Sequence, residues 1–97
     1  MNLGGFNDSV EGVAWPSALE ELRFGRLFNQ PIEDVRWPSG LKSLYFGMNF
    51  SQAVDAVTWP PALKVLQLGP GCYHSDGSPV TGPPGLISFR GPMDWGW

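Results

Sequence analysis

One cysteine, Cys72, in 97 residues excludes an internal disulfide and a cysteine metal cluster. Charge is also scarce. Only 15% of the residues are charged, and six basic against nine acidic side chains leave a formal net charge of −3. That balance lacks the basic footprint of a nucleic-acid binder or of a protein held to an anionic membrane. No stretch reaches the roughly eighteen consecutive apolar residues of a membrane-spanning helix. The opening Met1-Asn2-Leu3-Gly4-Gly5 has neither a basic leader nor an apolar run, so no signal peptide is read there. With the unpaired cysteine, this gives a default expectation of a cytoplasmic, intracellular protein. Long helices are not expected either, because 13 Gly and 10 Pro are spread along the chain. What the chain has in quantity is apolar surface, 42% of residues with five Trp, enough for a packed core rather than disorder. The length suits one small domain, with no room for a cleft between two.

Self-similarity is the main signal. Shifting the sequence by 22 residues aligns Phe6–Leu27, Phe28–Asn49 and Phe50–Gly71 without a gap. Phe6/Phe28/Phe50, Val13/Val35/Val57, Trp15/Trp37/Trp59 and Pro16/Pro38/Pro60 are identical columns. So are Leu19/Leu41/Leu63, Leu22/Leu44/Leu66 and Gly25/Gly47/Gly69. Val10/Ile32/Val54 and Phe24/Phe46/Leu68 are always apolar. A period of 22 and the pattern Leu-x-x-Leu-x-Phe/Leu-Gly predict a leucine-rich-repeat-like solenoid with little α-helix. Residues two apart share a strand face, so Leu22 and Phe24 point to the core while Glu21 and Arg23 point away. The glycine after each strand is expected to turn the chain at positive φ. Trp-Pro should form a rigid extended entry to the strand, since Pro fixes its own φ and restricts the residue before it. The stretch 30–36 has no helical stripe and predicts turns or a short 3₁₀ piece on the convex side. Stacked units then give a short parallel β-sheet on the concave side with ladders of like side chains. The structural ladder comprises Phe6, Phe28 and Phe50, Trp15, Trp37 and Trp59, and Leu22, Leu44 and Leu66.

The second unit, opening Phe28-Asn29-Gln30-Pro31-Ile32 and closing Leu41-Lys42-Ser43-Leu44-Tyr45-Phe46-Gly47, resembles the FNIP repeat. That repeat is a leucine-rich-repeat-like unit found in tandem arrays in proteins of eukaryotic microbes. The resemblance extends over residues 6–69, although Phe6-Asn7-Asp8-Ser9-Val10 and Phe50-Ser51-Gln52-Ala53-Val54 lack the proline of the second unit. The Pro-x-x-Leu-x-x-Leu core is also similar to short bacterial leucine-rich repeats. The resemblance implies a solenoid that contacts other proteins and brings no catalytic residues.

Outside the array, 1–5 reads as the end of a missing or degenerate repeat, which leaves the first unit uncovered and suggests an excerpt of a longer array. Residues 72–97 read as a loop, then a degenerate fourth repeat and C-terminal cap. In that segment Leu86 and Phe89 take the two Leu positions one residue out of period. The tail Met93-Asp94-Trp95-Gly96-Trp97 is expected to fold its indoles over the end of the core.

Candidate chemistry is thin. Cys72, His74 and Asp76 lie close in the loop, but three ligand types with no second half of a site make a poor metal centre. No Ser/His/Asp set is in view, no Gly-rich phosphate loop precedes a helix, and neither an enzyme nor a cofactor is expected. Glu20-Glu21 and Glu33-Asp34 read as solvated pairs. Asn7/Asn29/Ser51 either binds a ligand or, as expected of such a column, satisfies the backbone of adjacent turns. The Trp column is read as packing; a stacking platform for a sugar or another small ligand is the alternative. What remains is the outward sheet face, with Glu21, Ser43, Val65 and Ser88 in one row and Arg23, Tyr45, Gln67 and Arg90 in the other. These positions vary while their neighbours stay fixed, as on a recognition surface or as at unconstrained positions; Arg and Tyr tip the reading toward recognition of another protein. Four strands present a face on the order of 250 Å².

Overall fold

The computed structural model describes residues 1–75, 77, 80 and 82–91. Five short strands form one sheet: β1 (Asn2–Leu3), β2 (Glu21–Phe24), β3 (Ser43–Tyr45), β4 (Val65–Gln67) and β5 (Ser88–Arg90). They lie in chain order and every neighbouring pair is parallel. No helix occurs among the described residues. Register follows the repeat: Leu22 pairs with Leu44, Leu44 with Leu66, and Leu66 with Phe89. The final step spans 23 residues instead of 22, and the loop before β5 absorbs the extra one. On the other side, Asn2 and Leu3 pair with Arg23 and Phe24, so the edge of β2 is covered by β1.

Each full unit is closed by three backbone turns at equivalent places. In the second unit the Val35, Leu41 and Phe50 N–H groups donate to the carbonyls of Ile32, Pro38 and Gly47, at 3.2, 3.1 and 3.3 Å. The third unit repeats this with Val57, Leu63 and Cys72 on Val54, Pro60 and Gly69. The stretch 30–36 is thus turn, with no 3₁₀ segment among the described residues. All three turns begin at column residues, the apolar Val/Ile, proline and glycine, which is why the path repeats so faithfully.

The third turn begins at Gly25, Gly47 or Gly69, and here the expected reason for glycine is corrected. None of the three has positive φ. Their need is space: a Cβ on Gly47 would stand 2.7 Å from Arg26 Cα and 2.8 Å from the Gly25 carbonyl, and one on Gly69 would stand 2.6 Å from the Gly47 carbonyl. Successive units approach backbone to backbone at this column, and only glycine leaves room.

The core lies between the sheet and the turns. Leu22, Leu44, Phe28, Phe46, Phe50, Ile32 and Leu41 are fully buried, and no buried residue among the described ones is polar. Two phenylalanine columns interleave through the middle. Phe6–Phe28–Phe50 stacks at 6.1 and 5.9 Å between centroids, and Phe24–Phe46 stacks at 5.0 Å and 4°. Cross-links between the columns are shorter, 4.1 Å for Phe24–Phe28 and 4.2 Å for Phe46–Phe50. At the next level both columns change residue, to Leu68 and Cys72, and the aromatic core ends there. Cys72 is buried, with its Sγ 3.5 Å from the Phe50 carbonyl. The expected indole cap at 93–97 and Asp76 lie outside the described residues.

Candidate functional site

Strand alternation turns Leu22, Phe24, Leu44 and Leu66 inward and leaves their neighbours on an open face. Register sets those neighbours in two straight rows, Glu21–Ser43–Val65–Ser88 and Arg23–Tyr45–Gln67–Arg90. All eight positions expected on the outward face are therefore brought together. Glu21, Arg23, Ser88 and Arg90 are exposed, while Ser43, Tyr45, Val65 and Gln67 in the middle of the sheet are half-buried by their neighbours.

Contacts among these side chains give the face a preset shape. The Arg23 guanidinium lies 4.1 Å from the centroid of the Tyr45 ring and donates to Glu21 Oε1 at 3.2 Å. Cation–π contact and ion pair together hold an otherwise flexible arginine flat across the strands. Gln67 Nε2 donates to the Phe46 carbonyl at 3.1 Å, which fixes the third member of the row. Beside the face, Lys42 Nζ and Glu20 Oε2 form a solvated pair at 3.4 Å.

The polar column is structural. Asn7 Oδ1 accepts from the Asn29 N–H at 2.8 Å, and Asn29 Oδ1 accepts from the Ser51 N–H at 3.0 Å. A second column escaped the sequence reading: Gln30 Nε2 donates to Asn7 Oδ1 at 3.1 Å, and Gln52 Nε2 donates to Asn29 Oδ1 at 2.8 Å. Gln30 and Gln52 stand 22 apart, so identity at that spacing was the available signal. Cys72 was likewise legible as the successor of Phe50 at the same spacing. Burial pushes its thiol from 9.0 up to about 11, against smaller lowering contributions from backbone contacts at Gly69 and Gln52. Of the other loop candidates, His74 is half-buried.

The Trp column runs along a second flank. Trp15 and Trp37 stack at 6.1 Å and 19°, and both set an edge against Phe24, at 6.5 and 6.3 Å. Their Nε1 atoms are buried with no hydrogen-bond partner among the described residues. These two indoles face each other and the core, as packing residues do. Trp59 breaks the series, with no ring contact among the described residues. A groove of about 370 Å³ is lined by Trp37, Trp59, Pro60, Pro61 and the stretch Glu33–Arg36. A second, of about 610 Å³, runs by Gly12–Trp15 and shares Asp34 and Arg36.

The repeating strand, the turns and the side-chain columns together specify a tandem unit, and comparison with known families agrees. Residues 28–71 match the FNIP Repeat family. The match takes in the second and third units. The first unit lies outside it, although its turn bonds and its Phe, Trp and Leu columns continue those of the FNIP segment. No curated protein matches the chain.

Proposed function

We propose that the chain is a non-catalytic protein-interaction module, a leucine-rich-repeat-like solenoid whose open sheet face is the concave binding side. The observation that carries this reading is the contrast between columns. The inward strand position Leu22/Leu44/Leu66 holds Leu in every unit, whereas the outward positions beside it change from Glu to Ser to Val and from Arg to Tyr to Gln. A constant scaffold with a varied face suits recognition, and the Arg23–Tyr45 pair puts two residue types enriched at binding hot spots in contact. The face is several-fold smaller than the roughly 800 Å² that each partner contributes to a stable complex. The partner must therefore also reach flanking turns, such as the exposed Tyr73, which bridges to Ala53. An intracellular setting, in which Cys72 stays reduced, belongs to the proposal.

Quantitative affinity capture tests it. Arg23→Ala with Tyr45→Ala is expected to weaken capture of a specific partner at least tenfold, with the melting temperature unchanged within about 2 °C. Undiminished capture by this double variant removes the sheet face as the site.

A further inference from the structure

We propose that the sheet face takes an acidic segment of another protein that also carries an apolar side chain, seated over β3–β5 beside Lys64 and Ile87. This rests on the sheet-face reading above and adds the chemistry of the partner. The separation of charge carries the inference. The chain as a whole bears a formal charge of −3, yet its basic residues gather at the sheet. Arg23 and Arg90 lie on strands, Lys42 and Lys64 immediately precede β3 and β4, and Arg26 lies in the turn after β2. Of the basic side chains only Arg36 lies away in the outer turns, among Asp8, Glu11, Glu33, Asp34 and Asp55.

A third row completes the face. The Lys42 N–H donates to the Glu20 carbonyl, the Lys64 N–H to the Lys42 carbonyl and the Ile87 N–H to the Lys64 carbonyl, each at 2.8 Å. The ladder thus continues ahead of the strands as Glu20–Lys42–Lys64–Ile87, and the charge changes along it. At the β2 end both acids are matched, Glu20 by Lys42 at 3.4 Å and Glu21 by Arg23 at 3.2 Å. Strands β3, β4 and β5 carry no acid. Lys64 is exposed and has no ion pair among the described residues. Beside it Ile87 is 79% exposed, the most exposed large apolar side chain among the described residues. A cation without a counter-ion next to a bare aliphatic group is complementary to a carboxylate next to an apolar residue. A long polyanion such as nucleic acid is disfavoured by the total charge of −3. A short acidic segment instead meets the sheet-side cations within a Debye length of about 10 Å.

Fluorescence anisotropy with the whole chain tests this, using a labelled nonapeptide of three Glu-Glu-Leu repeats. Matched peptides of Lys-Lys-Leu and of Ser-Ser-Leu repeats, and a ten-nucleotide oligothymidylate, are the comparison probes. The acidic peptide is expected to bind saturably at about 50 mM salt and roughly fivefold more weakly at about 300 mM. Lys64→Glu should weaken it roughly tenfold with the melting temperature unchanged, since Glu20 shows that the column accepts glutamate. Lys64→Arg should bind as wild type does, Ile87→Ser roughly threefold more weakly, and Arg36→Ala without change. Failure of the acidic peptide to bind overturns the proposal. So does equal or tighter binding of any comparison probe, or indifference to Lys64→Glu. Where Arg23→Ala/Tyr45→Ala abolishes capture of a protein partner while Lys64→Glu and salt leave it unchanged, the face remains the site and only the acidic partner falls. Undiminished capture by that double variant removes the sheet-face reading and this proposal with it.

Discussion

At the scale of single residues, the outcome of a substitution depends on which column it falls in and how far that column is covered. Phe28 is fully buried and stacked between Phe6 and Phe50, so Phe28→Ala should cost about 3–5 kcal/mol in urea unfolding. Trp37 differs: it is half-buried, and its Nε1 is an unpaired donor that itself costs about 1–3 kcal/mol. Trp37→Phe keeps a ring and removes that donor, so it should cost less than Phe28→Ala; an equal loss would mean the indole N–H has a partner after all. Cys72 gives a pH prediction. The unfolded chain releases the thiol proton near 9.0, whereas the folded chain holds it to about 11. The folded state binds more protons between those values, so stability falls as pH rises from 9 to 11, by at most about 3 kcal/mol. Urea midpoints at pH 8 and pH 10.5 should drop further for wild type than for Cys72→Ala. At pH 8 the native thiol should resist an alkylating reagent.

At the scale of the element, the glycine after each strand shows what a repeat does and does not disclose. Gly47→Ala would force a methyl group to 2.7 Å from Arg26 Cα and 2.8 Å from the Gly25 carbonyl, and rigid backbone on both sides cannot give way. Its cost should exceed that of Gly12→Ala, where a Cβ meets nothing and only the φ of 83° resists, at about 1–2 kcal/mol. Thermal melts of the two variants make the comparison. The position of this column was plain in the sequence, and so was the strand beside it, because Leu22, Leu44 and Leu66 recur with the alternation of a half-buried strand. Its reason was not, since close approach of two backbones leaves no trace in one chain's local pattern and looks the same as a positive-φ turn. The open-face residues were legible from alternation alone. The identity of Gln30 and Gln52 was visible at the 22-residue spacing, but their bonds to Asn7 and Asn29 and the groove along Trp37 and Trp59 were not, for they depend on side-chain conformations that identical columns do not dictate. The 23-residue step into β5 was readable, because Pro83-Pro84-Gly85-Leu86 repeats the strand entry.

At the scale of the whole molecule, stability is a sum of contacts between neighbours, since each strand pairs only with the units before and after it. No unit has a core of its own: Phe24 stacks on Phe28 and Phe46, one unit on, and Phe46 on Phe50. Damage at the centre and damage at an end should therefore differ in kind. Leu44 sits on the middle strand at 0% exposure, between Leu22 and Leu66. Leu44→Ala removes a methyl-rich rung from both interfaces, so it should cost about 2–5 kcal/mol and lower one cooperative transition for the entire chain. Phe89 lies on the last strand, half-buried, with Leu66 as its only cross-strand partner among the described residues. Phe89→Ala should release β5 locally while β2 to β4 stay folded. Native-state hydrogen exchange separates the two cases. In Leu44→Ala the backbone amides of Lys64 and Val65 on Lys42 and of Lys42 on Glu20 should lose protection together. In Phe89→Ala only the amides of Ile87 and Ser88 on Lys64, and of Leu68 on Arg90, should exchange faster. Uniform loss of protection in the Phe89 variant would show that the stack opens as one body, with no end that can fray alone.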